Sequence, residues 1–114
     1  MVASVSIRKD GRLTVRVEQG GDSLTVRALG ELDIATADTL AEELRRVWRC
    51  DAAPIVLDLG EVDFLDSMVL RALLAVAKHS RETGNRVRIQ QDSAAVRRVI
   101  TVSGLKGSLP LVES

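Results

Sequence analysis

Aromatic side chains are almost missing from this sequence: Trp48 and Phe64 are the only two. A chain of 114 residues built this way fills its interior with aliphatic side chains. It also has no stacking platform for nucleobases. Cysteine is scarcer still. Cys50 stands alone, which excludes a disulfide framework and a thiolate metal cage within one chain. Neither sign of charge is in excess, because 16 basic and 16 acidic residues cancel. The broad positive field that nucleic-acid binding uses is therefore absent, and no direct nucleic-acid partner is expected. No apolar run is long enough to span a bilayer, and residues 1–8 lack the apolar segment of a signal peptide. The expectation is a cytoplasmic protein without membrane insertion. Internal repeats, low-complexity tracts and Pro-rich linkers are also lacking.

What is present fits one soluble globular domain over residues 1–114. Apolar residues make up 46% and charged residues 28%, a balance that can build one core. The first thirty residues alternate. Val5 and Ile7, then Leu13, Val15 and Val17, then Leu24, Val26 and Ala28 are each separated by polar residues, the signature of half-buried strands. "KDGR" at 9–12 and "QGGDS" at 19–23 carry hairpin turn chemistry. Two or three antiparallel strands are expected.

The period then changes. Between Thr36 and Cys50, the residues Ala37, Leu40, Ala41, Leu44, Val47 and Trp48 fall on one helical stripe. Thr36 is the candidate N-cap and Asp38 adds a first-turn carboxylate. "PIVLDL" (54–59) is a nearly continuous apolar run that suits a strand covered on both faces. A second helix is expected from about Ser67, with Leu70, Leu73, Leu74 and Ala77 as its stripe and Gly84 as its stop. "NRVRIQ" (85–90) reads as a strand with Val87 and Ile89 facing in. A third helix follows Ser93, with Val96, Val99, Ile100 and Ser103 on one face and Gly104 as its stop. "SLPLV" (108–112) reads as a last edge strand, where Pro110 is tolerated. The fold class is α/β: a mixed sheet of four to six strands, with an opening hairpin followed by alternating helices and strands.

In such folds functional groups gather at the carboxyl ends of strands, where helices begin. Two strand-to-helix turns carry acidic and hydroxyl side chains there. "GELDIATADTL" (30–40) offers Glu31, Asp33, Thr36 and Asp38. "LGEVDFLDSMVL" (59–70) offers Glu61, Asp63, Asp66 and Ser67, with Val62, Phe64 and Leu65 tucking the segment against the core. An Asp-Ser pair before an amphipathic helix has two readings. One is capping, since both side chains accept from free first-turn N–H groups. The other is a phosphate acceptor, since a helix N-terminus stabilises a phosphate through its N–H groups and dipole. A phosphate would add about −1.5 to −2 charge at pH 7.

Other polar residues read as ordinary. His79 is the only histidine and has no ligand at metal spacing, so it is expected as a solvated helix residue. Arg45, Arg46 and Arg49 read as a solvated face, with docking of an acidic partner as the alternative, and Arg97 and Arg98 read the same way. Trp48 and Cys50 are expected to cover the core. Asp58 ends an apolar strand, but no acidic pair follows a parallel first strand, so a receiver-type phosphorylation centre is rejected. There is no phosphate-cradling loop and no nucleophile–base pair with an orienting group. No enzyme, metal or cofactor is expected.

Three segments together resemble the STAS domain family of bacterial anti-sigma factor antagonists and sulfate-transporter tails. "GELDIATADTL" resembles the family's first strand-to-helix turn. "IVLDLGEVDFLDS" with Leu70 resembles its signature strand, loop and phosphorylatable serine. "DSAAVRRVITVSGL" (92–105) resembles its third helix. The likeness spans roughly residues 24–110 and is strongest to the small stand-alone anti-anti-sigma factors. It implies a partner: an anti-sigma factor with serine kinase activity, bound by the unphosphorylated antagonist so that a sigma factor is freed. It implies phosphorylation of Ser67 as the off switch and a serine phosphatase as the reset. By the same match the partner-binding residues are Asp33, Thr36, Asp63, Asp66, Ser67, Met68 and Val69. One departure stands out. Where the family has a small residue and then Gly after the serine, this chain has Met68 and Val69. Three outcomes are open: a partner pocket that takes both side chains, slow or lost phosphorylation, or packing of both into the domain. Exposure of the pair would suit the alternative of a constitutive STAS adaptor, a non-phosphorylated subunit of a transporter or stress-signalling complex.

Overall fold

The computed structural model describes residues 2–50, 54–84 and 87–112. Five strands form one sheet in sequential order: β1 (Val2–Asp10), β2 (Leu13–Gly20), β3 (Ser23–Leu32), β4 (Ile55–Leu65) and β5 (Val87–Gln90). The first three are an antiparallel meander, and β4 and β5 add in parallel. Helices α1 (Ala37–Cys50), α2 (Leu70–Glu82) and α3 (Ala94–Ser103) follow β3, β4 and β5. This is the mixed α/β sheet expected from the periodicities.

The meander follows from its turns. Asp10 pairs with Leu13 and Gly20 with Ser23, so each hairpin closes over two residues. Gly11 and Gly21 supply the positive φ those turns need. Period-two alternation then puts Leu13, Val15 and Val17 beside Leu24, Val26 and Ala28 on one face. In the parallel half, Ile55, Leu57 and Leu59 of β4 and Val87 and Ile89 of β5 continue that face. The helices cover it with Leu40, Leu44 and Val47, with Leu70, Leu73 and Ala77, and with Val96 and Ile100.

The opposite face corrects one expectation. β4 is not covered on both sides, because its buried residues alternate with half-exposed Val56 and Asp58. That open face is charged. Arg27 bridges Glu18 and Asp58 at 3.1 Å each. Burial pulls the Arg27 pKa down, but Asp58, Glu18 and Glu61 outweigh it and hold the guanidinium above its ordinary value. A run of "IVLDL" looks doubly buried because valine is usually inside, yet apolar side chains also make up much of a folded protein's accessible surface, and Val56 is one of them.

Two further differences bear on the site. β4 does not stop at Leu59 but runs to Leu65, so most of the expected turn is strand. It pairs with β3 through two irregularities. Arg27 to Leu29 spans Asp58 to Glu61, and Gly30 to Glu31 spans Val62 to Phe64. Each inserts one extra residue into β4, as a β-bulge does. At the other end of the chain, 108–112 makes no strand. A short 3-10 turn (Lys106–Ser108) leads into an isolated bridge between Leu111 and Ile89. Ile89 N donates to Pro110 O and Val112 N to Ile89 O, and Pro110 has no N–H to extend the ladder.

Candidate functional site

The carboxyl ends of β3 and β4 lie side by side, and two turns leave from them. Glu31 pairs with Phe64 and Leu32 with Leu65. Beyond that, Asp66 N donates to Leu32 O at 2.9 Å, which ties the second turn to the first.

The first turn is closed by Asp33 and Thr36. Asp33 Oδ1 accepts from Thr36 N at 2.9 Å, and Thr36 Oγ1 accepts from Asp33 N at 3.1 Å. The one hydroxyl proton of Thr36 is placed to reach Asp33 Oδ1 at 3.1 Å or Glu31 O at 3.3 Å. Thr36 is therefore turned back into the loop and is only 6% exposed. Its expected role as side-chain cap of α1 is corrected, since the hydroxyl is spent within the turn. Asp33 stays half-exposed at the rim, and Ile34 beside it is 67% exposed.

The second turn divides the Asp-Ser pair. Asp66 sits in extended backbone and its Oδ1 accepts from Met68 N at 2.9 Å. It caps a 3-10 turn, Ser67–Val69, that feeds directly into α2. Ser67 is exposed, and its hydroxyl makes no hydrogen bond to the described residues. Capping and a free hydroxyl are thus assigned to different residues.

Met68 and Val69 also part company. Met68 is 49% exposed, while Val69 is 1% exposed and belongs to the core. Val69 adopts φ −66, ψ −22, an ordinary helical conformation, so nothing here requires glycine. Of the three outcomes open for the pair, Val69 takes packing into the domain, while Met68 stays at the surface. Phe64 is the reverse case. It does not tuck against the core with Val62 and Leu65 but is 47% exposed, because the second β4 irregularity shifts the alternation. Asp63, at that irregularity, is exposed as well.

Sequence reasoning missed two supports. Ser93 caps α3 by accepting from Val96 N at 3.3 Å, and its hydroxyl also donates to Val62 O. One buried serine thereby pins α3 to the irregular part of β4. Ser80, on the α2 stripe one turn beyond Ala77, accepts from Val87 N at 3.0 Å. The i, i+3 spacing of Ala77 and Ser80 was the available signal for it. His79 is exposed as expected, but its ring meets Trp48 edge-on at 4.4 Å between centroids. Trp48 packs against the core, whereas the side chains of Arg49 and Cys50 lie outside the described residues. Among the described residues no cluster of His, Cys, Asp or Glu could hold a metal ion. None of the described helices is long and apolar enough to cross a membrane.

Known proteins carry this arrangement. An anti-sigma factor antagonist from Mycobacterium paratuberculosis, known from its crystal structure, superposes with a TM-score of 0.75 at 33% identity, covering 90% of this chain and 86% of that one. BtrV of Bordetella bronchiseptica, named as an anti-sigma factor antagonist, is 31% identical over 94 residues, 82% of this chain and 81% of its own. The anti-sigma F factor antagonist of Paenibacillus polymyxa is 28% identical over 103 residues, 90% of this chain and 88% of its own. The STAS domain pattern matches residues 14–114. With its sequential mixed sheet and paired strand-end turns, the chain belongs to the STAS domain family.

Proposed function

We propose that this protein is an anti-sigma factor antagonist, switched off by phosphorylation of Ser67. It binds an anti-sigma factor that is also a serine kinase and so frees a sigma factor. The kinase then phosphorylates Ser67, the complex parts, and a serine phosphatase restores the free hydroxyl. The protein acts by binding and performs no chemistry of its own. The single observation that carries this reading is the exposed Ser67 hydroxyl, unbonded among the described residues, beside an aspartate that already serves as the cap. A serine that capped the turn would lose a structural hydrogen bond on modification; this one loses none. A phosphate would stand next to Asp66 and near the Asp33 turn, where added negative charge must be desolvated when a partner docks. Asp33, Asp63 and Asp66 form the acidic rim of the docking surface, and Met68 is its apolar contact.

The test is incubation with the cognate kinase and ATP, read by intact mass. Wild type is expected to gain one phosphate and Ser67→Ala none. No phosphate on wild type with an active kinase, or unchanged labelling of Ser67→Ala, overturns the switch.

The exposure of Met68 favours one second reading: a constitutive adaptor in a transporter or stress-signalling complex, bound without phosphorylation. A transporter ATPase as the stable partner in a pull-down supports the adaptor. A histidine-kinase-like ATPase supports the switch.

A further inference from the structure

Helices α1 and α2 run side by side in the same direction. Leu40, Ala41 and Leu44 of α1 and Ala72, Leu73 and Val76 of α2 line the seam between them, and Trp48 ends opposite His79. Near the Ser67 end the pair leaves almost no void, about 10 Å³. Along the outer side the same pair leaves a groove of about 370 Å³. Its floor is Ala41, Leu44, Ala72, Ala75 and Val76, and the Trp48–His79 contact closes its far end. Two alanine-lined helices with a gap between them offer the seat that a third helix fills by ridge-in-groove packing.

The charges along this groove select one kind of occupant. Asp38 stands at the N-terminal end and Arg45 toward the other. Neither has an ion-pair partner among the described residues. Both helices also point their positive dipole ends toward Asp38 and their negative ends toward Trp48. An antiparallel helix answers all of these at once. Its acidic first turn would meet Arg45, its basic last turn would meet Asp38, and its dipole would oppose the two below it.

We propose that the α1–α2 groove docks an amphipathic helix of a protein partner, antiparallel to α1, with acidic residues in its first turn and basic residues in its last. Asp38 to Trp48 spans about 15 Å at the helical rise, so three turns of partner helix suffice. Apolar side chains at i, i+4 and i+7 fill the groove. The lining of the groove does not include the Ser67 turn, and docking is expected to be independent of its phosphorylation.

The probe is a synthetic three-turn peptide with leucine at i, i+4 and i+7, glutamates in its first turn and lysines in its last. A second peptide has the two charged ends exchanged. Trp48 is the only tryptophan and the chain has no tyrosine, so its emission reports groove occupancy directly. The first peptide is expected to shift that emission and to bind at least about tenfold tighter than the second, as charge-based discrimination of partners gives. Ala75→Glu, at an exposed floor position, is expected to abolish binding of both with the fold retained by circular dichroism. The double variant D38K/R45E is expected to reverse the preference. Ser67→Asp is expected to bind as wild type does, so failure of the phosphorylation switch leaves this result standing. Equal binding of the two peptides, no binding, or an emission shift that grows with protein concentration alone and marks self-association, each overturns the proposal.

Discussion

Position 69 shows how a single residue can mislead when only its neighbours in sequence are known. A valine where the family resemblance leads one to expect glycine suggests a blocked approach to the serine. The backbone there is helical and the side chain is buried, so the valine stabilises the turn instead of obstructing it. Restoring glycine is expected to cost about 2–4 kcal/mol through a lost buried side chain and a more flexible unfolded chain. Urea denaturation of Val69→Gly measures it, and a loss under about 0.5 kcal/mol, the ordinary scatter of surface changes, contradicts the packing account. Ser67→Asp belongs to the same scale. It adds one negative charge beside Asp66 and is expected to weaken anti-sigma factor binding at unchanged stability; unaltered affinity by calorimetry counts against the electrostatic account. The Asp-Ser pair itself was legible in the sequence as a cap and a hydroxyl. Which residue did which was not, because both chemistries suit both positions. Only the bond from Met68 N to Asp66 separates them.

Among the elements, strand β3 and its exit turn depend on one glycine. Gly30 has φ +100, and a Cβ there would lie 2.1 Å from Arg12 O. That approach lets Glu31 N donate to Arg12 O at 3.1 Å, holding the β1–β2 turn against the start of the Asp33 turn. Gly30→Ala is expected to destabilise by about 3 kcal/mol or more, since strained φ and a backbone clash act together. Thermal unfolding followed by circular dichroism tests this, and a midpoint within about 2 °C of wild type, a shift worth well under 1 kcal/mol in a domain of this size, sinks it. The bounds of helix α3 were legible, because Ser93 and Gly104 bracket the stripe and the structure caps it with both, although Ser103, expected on that face, is exposed and the bond from Ser93 to β4 was not foreseen. The extent of β4 was not. Its irregular pairing breaks the alternation after Leu59, so "GEVDFL" matches neither a strand nor a helix period. The expected last strand failed for the opposite reason: alternating apolar residues were present, but Pro110 limits the pairing to a bridge.

At the scale of the whole molecule, α1 is fastened to the meander by a small charge network. Glu43 is buried and accepts from Arg46 at 2.8 Å, while Arg8 of β1 reaches Glu43 at 3.5 Å and Glu42 at 2.8 Å. The Arg46 bond lowers the Glu43 pKa most; burial opposes it, and the attraction of Arg46 and Arg8 adds to the lowering. A depressed carboxyl contributes stability that is present above its unfolded pKa, about 4.3, and lost as pH falls through the folded value. The chain is therefore expected to lose stability on acidification below that point, and Glu43→Gln to flatten this dependence while costing about 1 kcal/mol at neutral pH. Denaturant midpoints measured across the acid range decide it, and parallel curves for the two proteins reject it.

The strand order 1-2-3-4-5 also has a consequence for how the molecule comes to exist. Each new strand pairs with the one made just before it, so no strand must wait for a later segment to be inserted between earlier ones. The meander closes through two-residue hairpins, whose loop-closure cost is small, and only the two parallel additions require long connections. During synthesis, domains form from the N-terminal end as the chain lengthens. For this topology each added strand meets a finished edge, so the sheet can be laid down in the order in which it is translated.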